Sequence, residues 1–410
     1  MAGRGAKQVI VLAGGGLTHT SGGVGTLMVY LLEEWSRRPD PLPVRVVDTR
    51  GEGGIAGAAL HFLRAIALVT GLGLAGRIAL VHAHMTVRGS AVRKSVFCAL
   101  ARALGVPTIM HMHGADFRPF YLGLGPVWRL ALRVTLRQAR HVVVLGTAWR
   151  DFLVTEVGVR GDRIAVVLNG VPRPAARRDG GARSGPAGPV RLLFLGRLGE
   201  RKGVSDLLEA LASPVLRERD WTATIAGDGE VERFRAHVAR SDLGDRVAVP
   251  GWADRAAAAE LLAEADILVL PSYHEAMPMA VIEAMAYGVA VITTPVGSVP
   301  EFLRDGVDAL LVPPGAPSLL AQALARLIDD PHERARLAGA GRRVFEERLE
   351  IGAVADSMLE FYRSAIRAGG GPSLLPNAAS QGCETAAPER AAGALTSAGT
   401  RAGRLGSAPG

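Results

Sequence analysis

Short apolar runs alternate with stretches of helical period along most of the chain. Gln8 to Leu12 is a β-branched run that closes on Gly14-Gly15-Gly16, and Leu27, Tyr30, Leu31 and Glu34 then repeat at helical spacing from about Gly25 to Trp35. Val44 to Asp48, Leu80 to Ala83, Thr108 to His111, His141 to Leu145 and Arg163 to Leu168 read as further strands, each followed by a turn or helix. This regular alternation predicts a parallel sheet with helices on both faces.

The segment from Pro172 to Pro189 is rich in Pro, Gly and Arg and has the composition of a linker. A second α/β series begins at Val190, with strands expected at Val190 to Leu195, Thr222 to Ala226, Val247 to Val249, Ile267 to Leu270 and Val289 to Ile292. Its helices are expected at Val204 to Ala212, Glu230 to Ser241, Ala256 to Ala263 and Met279 to Tyr287; a helical stretch from about Pro317 to Ala368, divided by Pro331, follows. The expected organisation is a first α/β domain over residues 1–172, a linker over 173–189, a second α/β domain over 190–350, a final helix over 351–368 and a disordered tail over 369–410. Two such domains imply a cleft, because open parallel sheets bind ligands beyond the carboxyl ends of their strands.

Composition narrows the class. An apolar content of 49% excludes a wholly disordered chain, and Cys98 and Cys383 are too few for a disulfide framework or a Cys-based zinc site. No signal peptide is recognised, and the apolar run Ala65 to Gly76, enclosed by Arg64 and Arg77, is too short to span a membrane. A cytoplasmic location is expected. Charge is unevenly spread: residues 1–185 carry 24 Lys+Arg against 10 Asp+Glu, whereas residues 186–370 carry 20 against 27. A basic half suits an anionic surface or a phosphorylated substrate, although 44 of the 47 basic residues are Arg, which a compositional bias alone also produces. With aromatics at 5% and no base-stacking motif, nucleic acid is not an expected partner.

Four stretches could carry chemistry. Gly14 to Gly25 joins a strand, a glycine loop and a helix start, which can cradle phosphate, but the dinucleotide fingerprint fails at His19. It reads equally well as a turn that needs glycine. Leu192 to Ala210 ends a strand at Gly196, with Arg197 next and Lys202-Gly203 before a helix; an Arg and a Lys at such a turn suit a diphosphate, and a solvated basic turn looks the same. Ala265 to Ile292 places Glu275 in a strand-end loop and Glu283 in the following helix, spaced E-x7-E, where carboxylates can accept hydrogen bonds from vicinal hydroxyls. Two histidine pairs, His82/His84 and His111/His113, sit at strand ends, with Asp116 beyond. They lack a third ligand in register, and no D-x-D occurs, so no metal is expected.

Together these stretches resemble the retaining glycosyltransferases of family 4, which have the two-domain GT-B fold. The resemblance runs from Val9 to Arg367 through Gly22-Gly23-Val24, His113-Gly114, Asn169-Gly170, Gly196-Arg197, Lys202-Gly203, Gly227-Asp228-Gly229 and E-x7-E. It implies two Rossmann-like parallel-sheet domains facing a cleft, the first binding acceptor, the second binding nucleotide sugar, and the final helix crossing back to the first. It implies that Arg197 and Lys202 hold the diphosphate, Glu275 meets the donor sugar, Ala276, Met277, Pro278 and Met279 lie near the phosphates, and Glu283 holds the ribose. His113 would stand near the donor sugar, Gly22 and Gly23 near donor phosphate or acceptor, and Asp116 on the acceptor side. His113, Glu275, Arg197 and Lys202 are the residues expected to carry catalysis. One departure is Ala276, where many members carry Gly after the first glutamate.

The implied reaction is transfer of a hexosyl group from a UDP- or GDP-sugar to a hydroxyl, with retention and without cofactor or metal, in bacterial-type polysaccharide or glycolipid assembly. A lipid-linked or glycan acceptor is expected. A GT-B-fold nucleotide-sugar epimerase and a transferase acting on a soluble small acceptor are the alternatives. The basic residues Arg88, Arg93, Lys94, Arg102 and Arg118 add an anionic membrane surface, on the inner face of the cytoplasmic membrane, as an expected partner.

Overall fold

The computed structural model describes residues 7–13, 22–39, 43–51, 54–174 and 188–367. Most of the expected linker, the tail beyond Arg367 and the glycine loop from Gly14 to Ser21 lie outside the described residues. The first half forms a six-stranded parallel sheet from β1 (Gln8–Ala13), β2 (Val44–Asp48), β3 (Ile78–Met85), β4 (Thr108–Met112), β5 (His141–Val144) and β6 (Ile164–Val166), in the order β2-β1-β3-β4-β5-β6. The second half forms another, from β7 (Val190–Leu195), β8 (Trp221–Ala226), β9 (Val247–Gly251), β10 (Ile267–Leu270), β11 (Ala290–Thr293) and β12 (Leu310–Leu311), in the order β12-β11-β10-β7-β8-β9. Each is a Rossmann-like α/β layer.

Strand period two sorts the first sheet's side chains between two cores. Val9, Val11, Leu80, Ile109 and Val143 join a core that continues into the second half of the chain. Ile10, Leu12, Val81, Met110 and Val142 point the other way into a separate core. Helix α1 (Gly23–Ser36) covers the first side with Leu27, Met28 and Leu31. Helices α2 (Ile55–Leu74), α3 (Gly89–Ala103), α4 (Phe117–Leu122) and α5 (Pro126–Gln138) cover the second, with Val69, Phe97, Phe117 and Leu136.

Helix α2 differs from its sequence reading. The apolar run that begins at Ala65 extends backwards through Arg64 to Ile55, because Arg64 lies on the exposed side and interrupts nothing. Among the described residues, α2 is the one helix long and apolar enough to cross a membrane.

The last helix, Ile351–Arg367, packs on the first sheet. Trp35 Nε1 donates to Ala355 O at 3.4 Å, the Trp35 and Tyr362 rings stand 5.6 Å apart, and the Tyr362 hydroxyl meets His82 Nδ1 at 2.6 Å. Arg38 and Asp356 add an ion pair at 2.5 Å. Burial of Met358, Leu359 and Tyr362 secures the crossing, at ~1.5–3 kcal/mol for each large apolar side chain.

Candidate active site at the meeting of the strand-end loops

The loop after β10 is the centre of the arrangement. Glu275 Oε1 accepts a hydrogen bond from Ser272 Oγ at 2.8 Å and pairs with Lys202 Nζ, both side chains being largely shielded from solvent. Both bonds go to one oxygen, which leaves Oε2 without a partner among the described residues. Lys202 reaches this position because Gly203 adopts φ +69°, and a Cβ there would stand 2.1 Å from the Pro271 carbonyl oxygen. No other residue permits that approach of the β7 turn to the β10 loop. Arg201 Nη1 donates to His274 O at 2.7 Å and Tyr273 N to Arg201 O at 3.0 Å, which locks the two turns together.

Arg197 stands apart from this pair. Its guanidinium is exposed and lies 3.5 Å from Asp228, although the backbone of Gly196 approaches Lys202 Cε to 3.8 Å at the Cβ position. Ala276, Met277 and Met279 are buried, and Ser298 holds the Ala276 carbonyl through its backbone N–H and its hydroxyl, at 3.0 and 2.8 Å. Pro278 caps the helix Met279–Tyr287 that carries Glu283.

The first domain meets this loop at several points. A Cβ on Gly23 would lie 2.9 Å from Met279 Cγ, so the start of α1 abuts the β10 loop, and Gly22 precedes it with φ +130°. Asp116 Oδ1 lies 3.8 Å from His274 Nδ1, and the Asn169 backbone N–H stands 3.0 Å from Met277 Sδ. Tyr30 OH donates to Glu283 Oε1 at 3.0 Å. Burial raises the Glu283 carboxyl above its usual range, against the lowering effects of Tyr30 and Arg255, and burial beside that carboxylate raises the Tyr30 hydroxyl as well. Arg255 fastens α1 further: it lies over the Tyr30 ring at 4.8 Å and pairs with Glu33 at 2.6 Å. Glu283 thus engages the first domain directly, a partner that the E-x7-E spacing does not reveal.

The histidines change most between sequence and structure. Residues two apart on a strand share a face, and β3 pairs with β4 so that His84 stands opposite His111. His82, His84, His111 and His113 therefore form one buried stack, with ring centroids 4.0–5.5 Å apart. His84 Nδ1 meets His113 Nε2 at 2.9 Å. Burial pushes His82 and His113 down to about 3, and His84 and His111 well below their ordinary value, so all four are neutral at pH 7. The expectation that the pairs lack a third ligand is corrected here, because ring nitrogens of His82, His84 and His111 all lie within 4.8 Å of one another.

The three rings are within 38° of parallel, and with His82 Nδ1 bonded to Tyr362 and His84 Nδ1 to His113, the nitrogens left without a partner among the described residues are His82 Nε2, His84 Nε2 and both of His111.

The stack has a tautomeric consequence. One proton is shared between His84 Nδ1 and His113 Nε2. His84 Nε2 is buried without a partner, and an orphaned lone pair is less costly than an orphaned N–H. The proton therefore belongs on His84 Nδ1, and His113 keeps its own on Nδ1, as a donor.

Lys94 also departs from expectation. It is fully buried, donates to Ala13 O at 2.7 Å and to Thr49 Oγ1, and burial pushes it down to about 7, so it is not available to a membrane surface. It ties the ends of β1 and β2 to α3, a role its place in a basic cluster does not signal. Nearby, Arg50, Thr86, Val87, Gly89, Ser90 and Arg93 line a cavity of about 360 Å³.

The comparisons with known proteins bear on the same two halves. Residues 1–170 match the family described as a glycosyl transferase 4-like domain, and residues 189–330 the family described as glycosyl transferases group 1. A D-inositol 3-phosphate glycosyltransferase from Nocardiopsis dassonvillei is 32% identical over 323 residues, 73% of this chain and 72% of that protein. The chain belongs to this glycosyltransferase family. An alpha-D-kanosaminyltransferase from Streptomyces kanamyceticus is 26% identical over 300 residues, 69% of this chain and 76% of the relative. Among solved structures, a sucrose-phosphate synthase from Thermosynechococcus elongatus superposes with a TM-score of 0.71 at 20% identity, covering 88% of this chain and 100% of that one. Anabaena HepE in complex with UDP-glucose gives 0.67 at 20% identity, covering 87% and 99%. These structural likenesses bear on the fold, which is GT-B.

Proposed function

We propose that this glycosyltransferase moves a hexosyl group from a UDP- or GDP-sugar to an acceptor hydroxyl, with retention and without a metal ion. The observation that carries the reading is the Lys202–Glu275 pair, built where loops of both domains converge. Lys202 already faces a carboxylate, so its ammonium is oriented before any diphosphate arrives, and Arg197 is exposed and free to swing from Asp228. Two cations at one turn can neutralise a leaving diphosphate, the task a divalent ion performs elsewhere. Glu275 Oε2 is free to accept from the donor sugar, and Glu283 to share its second oxygen with a ribose. His113, neutral and donating through Nδ1, hydrogen-bonds a sugar hydroxyl instead of transferring a proton. With no first-domain carboxylate singled out as a nucleophile, double displacement gives way to front-face attack, in which the diphosphate takes the acceptor proton. Gly22 and Gly23 let the donor phosphate approach α1, and Asp116 stands on the acceptor side.

The acceptor in this reading is a lipid-linked or glycan hydroxyl. A lipopolysaccharide-core glycosyltransferase from Rhizobium meliloti, 29% identical over 256 residues, supports that choice. A soluble small acceptor is the second reading, favoured by the D-inositol 3-phosphate glycosyltransferase relatives. The test is an NMR time course with a panel of UDP- and GDP-sugars, polyprenyl-diphosphate glycans and inositol phosphate, with and without EDTA. A glycoside with the donor's anomeric configuration, formed at the same rate in EDTA, is expected. Inversion, loss of turnover in EDTA, or an epimerised donor formed without acceptor would overturn the reading.

A further inference from the structure

The outer surface of the α2/α3/α5 layer has a composition unlike the rest of the molecule. Helix α2 buries Ala65 and Val69 against the sheet and turns Ile55, Leu60, Leu63, Leu68 and Leu74 outward, at 93, 50, 61, 40 and 75% exposure. Helix α3 adds exposed Val92 and Val96, and α5 adds Val127, Trp128 and Leu130. The three helices are neighbours, α2 touching α3 and α3 touching α5. Soluble surfaces scatter such residues singly; a continuous apolar sheet of them marks an interaction site.

Charge identifies the occupant. Between Glu52 and Asp151 the chain holds twelve Lys and Arg and a single acidic residue, Asp116. On this layer Arg64, Arg102, Arg133 and Arg137 are exposed among the apolar side chains. An interface between two copies would set this unrelieved positive charge against itself. Apolar side chains interspersed with arginine, and a tryptophan among them, fit the boundary between headgroups and acyl chains of an anionic bilayer. Helix α2 lies flat there and does not cross, since Ala65 and Val69 are held on the sheet and Arg64 sits in mid-helix.

We propose that the exposed face of α2, α3 and α5 docks on an anionic lipid bilayer, with Leu60, Leu63, Leu68 and Trp128 entering the acyl boundary and the surrounding arginines meeting lipid phosphates. Helices α2 and α3 follow β2 and β3 and begin at those strands' carboxyl ends, so Ile55 and Val92 lie at the end of the layer nearest the loops described above. The surface stands independently of the transfer reaction; if that reaction is right, the docked enzyme presents its acceptor side at the membrane.

The test is flotation of the full chain with vesicles of phosphatidylcholine alone and of phosphatidylcholine with phosphatidylglycerol, at low and high salt, with tryptophan fluorescence read alongside. Wild type floats with the anionic vesicles only, is released by salt, and shows a blue shift that Trp128→Phe diminishes. Leu60→Gln/Leu63→Gln/Leu68→Gln lowers partitioning at least about tenfold, and Arg64→Gln or Arg137→Gln about fivefold each, a loss of ~1 kcal/mol per cation. UDP and GDP affinity, measured separately, stays at the wild-type value in these variants. Binding indifferent to anionic lipid and salt overturns the proposal. So does a wild-type dimer by light scattering that the triple substitution converts to a monomer, or binding that survives that substitution. Failure of nucleotide affinity in wild type would instead count against the transfer reading.

Discussion

The two domains meet through strand-end loops, yet they present opposite chemistry there. The second domain offers ion pairs, Lys202 with Glu275 and Arg197 with Asp228, on turns that glycine brings close. The first offers neutral imidazoles stacked in its interior and a glycine helix start against Met279. The difference follows from burial. A charge is retained where a partner of opposite sign and some solvent remain, whereas four imidazoles enclosed together stay neutral. In the proposed reaction the second domain manages the charge of the leaving group and the first orients hydroxyls.

The sharpest way to break this contrast is to remove the second domain's cation. Lys202→Ala is expected to lower turnover ~10²–10³-fold with an unchanged circular dichroism spectrum. Turnover within a few-fold of wild type would remove Lys202 from the site.

The first domain's neutrality predicts acid lability. Its buried histidines have folded pKa values below the unfolded value near 6.5, so below that pH the unfolded chain binds more protons and stability falls as pH falls. For His82 and His113 the loss continues down to about 3, at ~1.4 kcal/mol per pH unit for each histidine. Chemical denaturation between pH 7.5 and 5 should show this slope, and His82→Phe should reduce it. A flat profile would mean that the stack is solvated.

His84→Phe removes the donor to His113 and should lower kcat about tenfold, the value of ~1–1.5 kcal/mol for a lost hydrogen bond, with the diphosphate affinity unchanged. An Asn at position 84, able to donate, should recover part of the loss. The smallest effect belongs to the contact between the domains. Tyr30→Phe leaves Glu283 without its donor and should lower Tm by about 2–4 °C, a shift that UDP or GDP reduces if ribose hydroxyls replace the phenol. A nucleotide-independent shift would separate Glu283 from the ribose.

Much of the fold was legible because buried parallel strands are short β-branched runs, as at Val9–Leu12 and Ile267–Leu270. The two-residue β12 gives no such run, and α2 shows only a short one because most of its alanines, glycines and leucines face outward without an amphipathic stripe. At the site, the turn after β7 that carries Lys202 and the loop after β10 that carries Glu275 were legible as strand-end turns, and the structure brings the two side chains together there. The histidine stack was legible in principle from the two i, i+2 pairs, but only the β3–β4 register places His84 opposite His111. The Tyr30–Glu283 contact joins residues 253 apart and depends on how α1 docks, which no local pattern encodes.

Isothermal titration of uridine, guanosine, UDP and GDP into the wild-type protein and Lys202→Ala tests most directly whether the second domain's charge holds a diphosphate. The account predicts that the preferred diphosphate loses at least about tenfold in affinity in the variant, the value of ~1.4 kcal/mol or more expected of a charged hydrogen bond, while its nucleoside binds as before. Equal diphosphate affinity in the two proteins would contradict it.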